Sequence, residues 1–256
     1  MSFEVIFLGT GTSGGVPMIA CDCDVCRSED TKDKRLRTAV LIRSEQTSIC
    51  IDAGPDFRRQ MLDNQVKALD AILITHGHRD HVGGIDDIRP FNFLQGKVID
   101  IFCDQYAEQM IKEQYSYAFK DTEYDYAPKM KFSIIGDKKF TINELEITPI
   151  QVMHYKLPVT AFRIGDFTYI TDAKTIADSE VEKIKGTKTL VVNALRHREH
   201  NAHFTIEEAL AFVAKINPEK AYFIHMSHHF GKHEAVQPTL PSHVHIAYDG
   251  LKIYID

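Results

Sequence analysis

The chain contains 256 residues, of which 44% are hydrophobic, and it carries a formal net charge of −6. This length and composition predict a single folded α/β domain over residues 1–256 with a large buried core. The acidic balance argues against a protein that grips long nucleic acids, because such proteins neutralise phosphates with a basic face. A small substrate fits the composition better.

The N-terminal segment is not predicted to be a signal peptide, since it has no basic region and Glu4 interrupts its short apolar run. No apolar stretch is long enough to span a membrane. The five cysteines are an odd number, and three of them lie together in Cys21-Asp22-Cys23-Asp24-Val25-Cys26. We therefore expect a cytoplasmic protein whose reduced thiols favour metal binding over disulfides.

Strand and helix patterns alternate in the first half of the chain. Phe3–Leu8 reads as a strand that enters the loop Gly9–Gly15, whose glycine spacing matches neither a P-loop nor a dinucleotide fingerprint. Later patterns predict strands at Thr38–Ile42, Thr47–Ile51, Ala71–Thr75 and Ile99–Cys103, and helices near Asp56–Asp63 and Asp104–Tyr115. Cys50 and Cys103 lie in apolar strands and are expected to be core residues.

The second half shows the same alternation. The predicted elements are the helix Ile206–Ile216 and the strands Phe132–Ile135, Leu145–Gln151, Thr160–Ile164, Thr168–Thr171, Thr189–Asn193, Ala221–Ile224 and Leu251–Ile255. Between the halves, the aromatic segment Tyr115–Met130, which includes Tyr124, is compatible with a lid and equally with a surface loop whose aromatic side chains are partly buried.

The strongest chemical signal is the run His76-Gly77-His78-Arg79-Asp80-His81, which follows a predicted strand. Ligands in α/β sheets commonly bind at strand ends. Imidazole and carboxylate groups suit zinc, manganese, iron and related ions. His154, Asp172 and His225 also follow apolar strands. The pattern predicts two neighbouring metal subsites built from these seven residues.

The sequence resembles the metallo-β-lactamase-fold hydrolases. Within that superfamily it looks most like the PhnP-type phosphodiesterases, which open the cyclic phosphate of phosphoribosyl 1,2-cyclic phosphate. It is similar, more distantly, to the tRNA 3′-processing endonuclease RNase Z. The resemblance implies a four-layer αβ/βα sandwich with metals at one edge of the two sheets. It rests on Phe7-Leu8-Gly9-Thr10-Gly11, Ile51-Asp52-Ala53-Gly54, the His76–His81 motif, His154, Asp172 and His225.

The resemblance also implies roles for these residues. One metal ion would be held by His76, His78 and His154. The other would be held by Asp80, which we also count as catalytic, and by His81 and His225. Asp172 would bridge the two ions. Asp52 would orient a ligand from beneath the site, although a structural turn residue is the alternative for this position.

The cysteine cluster predicts a further metal site. Cys21, Cys23 and Cys26 offer three soft ligands, and tetrahedral zinc requires a fourth. PhnP-type enzymes carry a structural zinc with this spacing, and the resemblance implies His228 as its fourth ligand. His229 and His233 are nearby alternatives. RNase Z has no such cysteine cluster, which favours the PhnP-type resemblance.

A histidine outside the metal set is expected to act on the substrate. His203 precedes a helix whose predicted cap is Thr205, with Glu208 completing a capping box. The resemblance matches His203 to the histidine that acts on the phosphate in both related families. His200 is the alternative, and a helix-capping role without chemistry is a second one.

These observations predict a metal-dependent phosphodiesterase that hydrolyses a small cyclic or nucleotide-like diester. Two divalent metals, zinc or manganese, would provide the attacking hydroxide, and a structural zinc would complete the protein. The alternatives are a tRNA 3′-processing nuclease, a hydrolase of another ester or thioester, and a non-enzymatic zinc-stabilised binding module. No membrane partner is expected, and a homodimer is compatible with the sequence.

Overall fold

The computed structural model describes residues 2–120 and 126–256. In this part of the chain the strands form two seven-stranded mixed sheets. The first sheet has the order β14-β1-β2-β3-β4-β5-β6 and contains β1 (Phe3–Gly9), β2 (Ala39–Arg43), β3 (Ser48–Ile51), β4 (Ala71–Leu73), β5 (Ile99–Cys103), β6 (Met130–Ile134) and β14 (Lys252–Ile255). The second has the order β13-β12-β11-β10-β9-β8-β7 and contains β7 (Phe140–Ile142), β8 (Leu145–His154), β9 (Leu157–Ile164), β10 (Phe167–Tyr169), β11 (Thr189–Asn193), β12 (Lys220–Ile224) and β13 (Val244–Ile246).

The α-helices divide between the two sheets. Four follow strands of the first sheet: α1 (Phe57–Asp63), α2 (Arg79–Val82), α3 (Arg89–Gln95) and α4 (Gln105–Gln114). Three follow strands of the second: α5 (Asp178–Ile184), α6 (Ile206–Ile216) and α7 (His233–Val236). In each sheet one half is parallel, β3 to β6 and β10 to β13 respectively.

Three apolar layers hold these elements together. Strand β1 shows why, because Val5 and Phe7 point between the sheets while Ile6 and Leu8 point toward the helices of the first sheet. Successive side chains alternate between the faces of a strand, so a strand buried on both faces is apolar throughout. Helix α6 covers the outer face of the second sheet in the same way. The fold is the four-layer αβ/βα sandwich that the family resemblance implied.

Several predicted elements are confirmed closely, and others differ. The bounds of β5, β11 and α6 match the prediction, and the capping box of α6 is present. Strand β8 extends to His154, so this residue ends a strand and does not follow it. Strand β10 ends at Tyr169, before the predicted end. The prediction missed α2, α3, α5, α7, β7 and β13, none of which is longer than seven residues.

The segment Tyr115–Met130 is described only in part. Tyr115 is buried, and its hydroxyl donates to the carbonyl of Val82 at 2.9 Å, so it belongs to the core. A 3-10 turn follows at Ser116–Phe119. Residues 121–125, which include Tyr124, lie outside the described residues, and the prediction of a lid therefore remains open. None of the described helices is long and apolar enough to cross a membrane.

Candidate metal centre

The histidine motif lies at the carboxyl end of β4, as predicted. His76 follows the strand, His78 is the residue that caps α2, and Asp80 and His81 lie in the first turn of that helix. A neighbouring turn packs tightly against them, because a Cβ at Gly54 would lie 2.0 Å from the carbonyl oxygen of Asp80. Glycine at this position therefore fixes how close the two segments lie.

Three strand ends of the second sheet bring the remaining predicted ligands. His154 ends β8, Asp172 follows β10, and His225 directly follows β12. Asp172 lies among the histidines: its Oδ2 is 3.2 Å from Nε2 of His81, and its Oδ1 is 3.3 Å from Nε2 of His225 and 3.9 Å from Nδ1 of His154.

The first-sheet ligands complete the cluster. Nε2 of His81 is also 3.2 Å from Oδ2 of Asp80, and Nε2 of His76 is 2.9 Å from Nδ1 of His78. The ring centroids of His78 and His154 are 5.2 Å apart. The structure thus brings all seven predicted residues together in one cluster.

The backbone at this cluster is strained. Asp52, Asp172 and His225 have φ angles of 66°, 55° and 57°. The left-handed region costs a non-glycine residue about 1–2 kcal/mol. Such strain persists where the surrounding structure over-determines the conformation, and it concentrates at functional sites. The sequence contained no signal for it, because nothing in the residue pattern specifies φ.

A buried hydrogen-bond network orients the histidines of the first sheet. Asp52 accepts hydrogen bonds from the amide and hydroxyl of Thr75, and its Oδ2 lies 2.7 Å from Nδ1 of His81. Nδ1 of His76 lies 3.1 Å from the Thr75 hydroxyl. A metal-binding histidine commonly bonds through its other ring nitrogen in this way. Sequence reasoning missed Thr75, although its place directly before His76 at a strand end was a usable signal.

The second sheet supplies the same kind of support. Nδ1 of His154 lies 3.0 Å from the carbonyl oxygen of Ala202, and the hydroxyl of Thr171 donates to Oδ2 of Asp172 at 2.7 Å. Sequence reasoning missed both contacts. Ala202 lies far from His154 in the chain, so only the fold could reveal that pair.

The donor set fits divalent metal ions. Two ligand atoms each bound at 2.0–2.1 Å to a tetrahedral ion lie about 3.3 Å apart, and the separations around Asp172 and His81 are 3.2–3.3 Å. Nδ1 of His225 is buried and has no hydrogen-bond partner among the described residues. Nε2 of His81 is also buried and makes no hydrogen bond of acceptable geometry there, but carboxylate oxygens of Asp80 and Asp172 lie 3.2 Å from it. Buried polar atoms are normally satisfied, and an ion among these three atoms would satisfy the nitrogen and both carboxylates.

The pKa shifts within the cluster favour the ionised form of its two carboxylates and the neutral form of His76. Burial by itself would raise the pKa of Asp172, but His225 and His81 hold it well below its usual range. Burial would also raise the pKa of Asp80, and His81 again outweighs this effect and lowers it. Both carboxylates are therefore ionised, which is the form that binds metal. Burial lowers the pKa of His76 well below its usual value, so its imidazole is neutral.

His203 lies inside this cluster. Its ring centroid is 4.5 Å from that of His154 and 4.8 Å from that of His225, and its Nδ1 is 3.5 Å from Oδ1 of Asp172. Burial lowers the pKa of His203 to about 2. His200 is less buried, and its ring contacts that of His203 at an interplanar angle of 36°, with ring centroids 4.9 Å apart.

The tightest groupings differ from the predicted allotment of ligands. Groups whose ligand atoms all lie within 4.8 Å of one another are His76, His81 and Asp172, and His154, Asp172 and His203. Asp172 belongs to both groups, as a bridging ligand would. His203 was not expected to bind metal, yet it lies as close as the predicted ligands. The allotment of ligands to each ion stays a prediction.

The cysteine cluster forms a second candidate site. Cys21, Cys23 and Cys26 lie with His228, and Nδ1 of His228 is 3.2 Å from Sγ of Cys21 and 3.4 Å from Sγ of Cys23. Although burial raises it, hydrogen bonds from the Cys26 amide and His228 lower the pKa of Cys23 to about 6. A thiolate is the metal-binding form. Burial raises the pKa of Cys26 to about 11.

The other cysteine and histidine predictions can also be placed. Cys50 and Cys103 are buried, as expected for core residues. The ring of His229 contacts that of His228 at an interplanar angle of 38°, with ring centroids 3.9 Å apart. His233 is buried beside Tyr248. Neither joins the cysteine group, whose histidine is His228.

The layered fold and the histidine–aspartate cluster define a metallo-hydrolase of the metallo-β-lactamase fold, a class that uses divalent metals. Residues 47–226 match the model of the β-lactamase superfamily domain, and the chain belongs to this family. It is 33% identical to a diphosphatase from the PhnP family of known crystal structure, covering 100% of this chain and 98% of that one, with a TM-score of 0.93. The predicted membership of this superfamily is confirmed.

Two further relatives broaden the comparison. An octanoyltransferase from Porphyromonas gingivalis is 40% identical over 254 residues, which are 98% of this chain and 51% of that protein. The chain thus spans about half the length of this relative. The short form of human tRNase Z shares the fold, with 19% identity, a TM-score of 0.70 and coverage of 98% of both chains.

Proposed function

We propose that this hydrolase is a phosphodiesterase that acts on a small cyclic or nucleotide-like diester. The observation that carries the proposal is the position of His203, a buried imidazole 3.5 Å from the carboxylate shared by both ligand groups. A histidine there can assist the departure of an ester oxygen or bind a phosphoryl oxygen. The similarity to a PhnP-family diphosphatase over the whole chain supports the proposal.

The proposed catalytic centre holds two divalent ions, zinc or manganese. His76, His78 and His154 would hold one, Asp80, His81 and His225 the other, and Asp172 would bridge them. When bound, such a pair supplies Lewis acidity and lowers the pKa of a water molecule to about 7. The protein contributes the fixed positions of these ligands, because Asp52 and Thr75 orient His81 and His76 from beneath.

His203 and His200 are proposed to differ in role. His203 is held among the ligand rings, where it can contact the reacting group. His200 lies one ring farther out, where burial and nearby positive charge lower its pKa. We therefore assign the substrate contact to His203.

The cysteine site is proposed to hold a structural zinc ion. Three sulfur ligands and one imidazole form a closed tetrahedral set, which is typical of structural zinc. Its ligand His228 is three residues from His225. An ion bound to His228 would therefore hold in place the segment after β12, which carries the catalytic ligand His225. The zinc would thereby join the cysteine loop to the second sheet.

The remaining predictions about partners also stay proposals. We propose that residues 1–256 act as one hydrolase domain in the cytoplasm. The substrate is a small diester, because a net charge of −6 does not favour long nucleic acids. The activity requires no membrane partner, and a homodimer is compatible with it.

One observation favours a second candidate function, the hydrolysis of an acyl ester or thioester. The relative that is 40% identical is named octanoyltransferase. The name describes a protein twice as long, and a shared fold hosts many reactions. An octanoyl thioester is therefore a necessary comparison substrate.

The experiment combines metal analysis with a substrate panel. We expect three ions per chain after reconstitution, and turnover of cyclic phosphates or of bis-p-nitrophenyl phosphate. Octanoyl thioester and precursor tRNA are the comparison substrates. Faster hydrolysis of the thioester would favour the second candidate, and selective cleavage of precursor tRNA would favour a nuclease. A result of one ion per chain and no turnover of any substrate would instead favour a non-enzymatic, zinc-stabilised binding module.

A further inference from the structure

Thr12, in the glycine-rich loop after β1, reaches the metal centre. Its Oγ1 lies 3.2 Å from Nε2 of His225. The same ring nitrogen is 3.3 Å from Oδ1 of Asp172. The hydroxyl therefore lies on the side of the His225 ring that faces the other ligands. A hydroxyl that merely oriented the ring would contact Nδ1, the nitrogen turned away from Asp172.

The backbone of this loop is fixed on both sides of Thr12. Its amide donates to the carbonyl of Met226 at 3.0 Å, and its carbonyl accepts from the amide of Gly15 at 2.8 Å. The preceding carbonyl, that of Gly11, accepts from both the amide and the hydroxyl of Thr38. Threonine is also restricted about χ1. The position of the hydroxyl is therefore set before any ligand binds.

A buried charged network anchors the start of the same loop. Arg35 donates to the hydroxyl of Thr10 at 2.8 Å, and this hydroxyl donates to Asp249 at 2.8 Å. Asp249 also accepts from the amide of Leu36 at 2.6 Å. These bonds tie the loop to the segment that precedes β2 and to the segment that precedes β14. Donors held in place in this way bind developing charge without reorganisation.

The hydroxyl has a proton to donate into the centre. A nitrogen whose lone pair is bound to a metal cannot accept a hydrogen bond. If Nε2 of His225 binds a metal ion, it therefore cannot accept the hydroxyl proton of Thr12. Within residues 2–120 and 126–256, His225 is the one side chain with which Thr12 makes a hydrogen-bond contact. The hydroxyl proton is therefore available to a molecule that binds at the centre.

We propose that Thr12 is a substrate-contacting residue whose hydroxyl donates a hydrogen bond to a nonbridging oxygen of the phosphoryl group. This inference rests on the proposed phosphodiesterase function. Thr12 would be a second side chain, besides His203, that contacts the substrate. It lies in a loop of the first sheet, whereas His203 follows a strand of the second sheet. The Thr12 hydroxyl is a donor held in a fixed position beside the two groups of candidate metal ligands. An anionic oxygen is the acceptor that such a donor binds best.

The test compares Thr12→Val, Thr12→Ser and the control Ser13→Ala. Valine keeps the shape and removes the hydroxyl, serine restores it, and Ser13 is an exposed neighbour in the same loop. Each protein is loaded with manganese or zinc, and its metal content is measured. The affinity for inorganic phosphate is then measured by calorimetry, and kcat/KM is measured on bis-p-nitrophenyl phosphate.

We expect Thr12→Val to keep full metal content, to bind phosphate about 10- to 100-fold more weakly, and to lose a similar factor in kcat/KM, the range for a hydrogen bond to a charged group. Thr12→Ser should restore most of both, and Ser13→Ala should equal the wild type. A loss of metal would make Thr12 a structural or metal-binding residue and overturn the inference.

The failure of this inference can be told from failure of the proposed function. If the wild type hydrolyses the diester and Thr12→Val equals it, Thr12 makes no such contact. If the wild type hydrolyses no diester, the proposed function fails. Phosphate affinity then still decides about Thr12, since equal binding by wild type and Thr12→Val overturns the contact.

Discussion

The histidine–aspartate centre and the cysteine site are built in opposite ways. The first takes its ligands from the ends of several strands in both sheets, and most of these side chains are buried. The second takes three ligands from the six-residue loop Cys21–Cys26, which lies outside the strands and is only partly buried. His225 and His228 are three residues apart, yet they belong to different centres.

This difference indicates which of the two centres the fold forms before a metal ion binds. The sheets impose left-handed conformations on Asp172 and His225, and packing must stabilise these before a metal binds. The backbone hydrogen bonds of the cysteine loop are local ones within residues 18–28, so an ion that joins the loop to His228 would contribute directly to folding. We infer that metal loss should impair chemistry at the first centre and stability at the second.

The largest effect is expected from Asp172→Asn. Asparagine tolerates the left-handed conformation but removes the charge that both ligand groups share. Activity should fall by more than the 10- to 100-fold typical of residues outside the ligand set, and the catalytic centre should lose metal. Elemental analysis should still find the ion of the cysteine site. Asp178→Asn, on the surface, is the control. Full metal content in Asp172→Asn would contradict the bridging role.

His203→Ala should have the next largest effect, because in the proposed function His203 contacts the reacting group and is not a metal ligand. We expect kcat to fall about 10²–10⁴-fold on a substrate with a poor leaving group. A smaller loss with p-nitrophenolate would indicate proton donation, and an equal loss would indicate binding of phosphoryl oxygens. Metal content should not change.

His200→Ala and His197→Ala complete that experiment. The ring of His200 contacts that of His203, and His197 is exposed. Both variants should turn over substrate much faster than His203→Ala. If His200→Ala abolishes turnover while His203→Ala preserves it, the assignment is reversed. Loss of metal from His203→Ala would support its place in the tight group with His154 and Asp172.

Asp52→Asn tests the support beneath the catalytic centre. Asp52 binds Thr75 and His81 but is not a predicted ligand. Replacement should lower metal affinity or activity about 10- to 100-fold, because the His81 ring loses its charged partner. Competition with a fluorescent chelator measures the affinity, with Asp178→Asn as the reference. An unchanged affinity and rate would leave Asp52 as a turn residue only.

The smallest effect on catalytic rate is expected from Cys23→Ser. This change should remove the zinc of the cysteine site and lower the melting temperature, while protein that stays folded keeps its catalytic metals. Calorimetry and metal analysis check it, with exposed Asp24→Asn from the same loop as the control. Normal zinc content and melting temperature would show that Cys23 is not a ligand.

The residue patterns predicted an α/β domain and identified the candidate ligands, and the family resemblance implied the layered fold. Strands β5 and β11 were found to the residue for different reasons. The buried run Leu190-Val191-Val192 indicates β11, and the alternation of buried Ile99, Ile101 and Cys103 with less buried residues indicates β5. The motif His76–His81 was visible because its ligands are adjacent in the chain. His154, Asp172 and His225 were found by their places near strand ends, and the resemblance supplied their grouping.

Only the tertiary structure decided how these residues interact. The contacts of Thr75 with Asp52, of His154 with the Ala202 carbonyl and of Thr12 with His225 join segments distant in the sequence. Side-chain patterns record which face of an element is buried, but they do not record which loops meet at a sheet edge. The left-handed backbone at the strand ends, and the place of His203 among the ligands, follow from the packing of two sheets against each other.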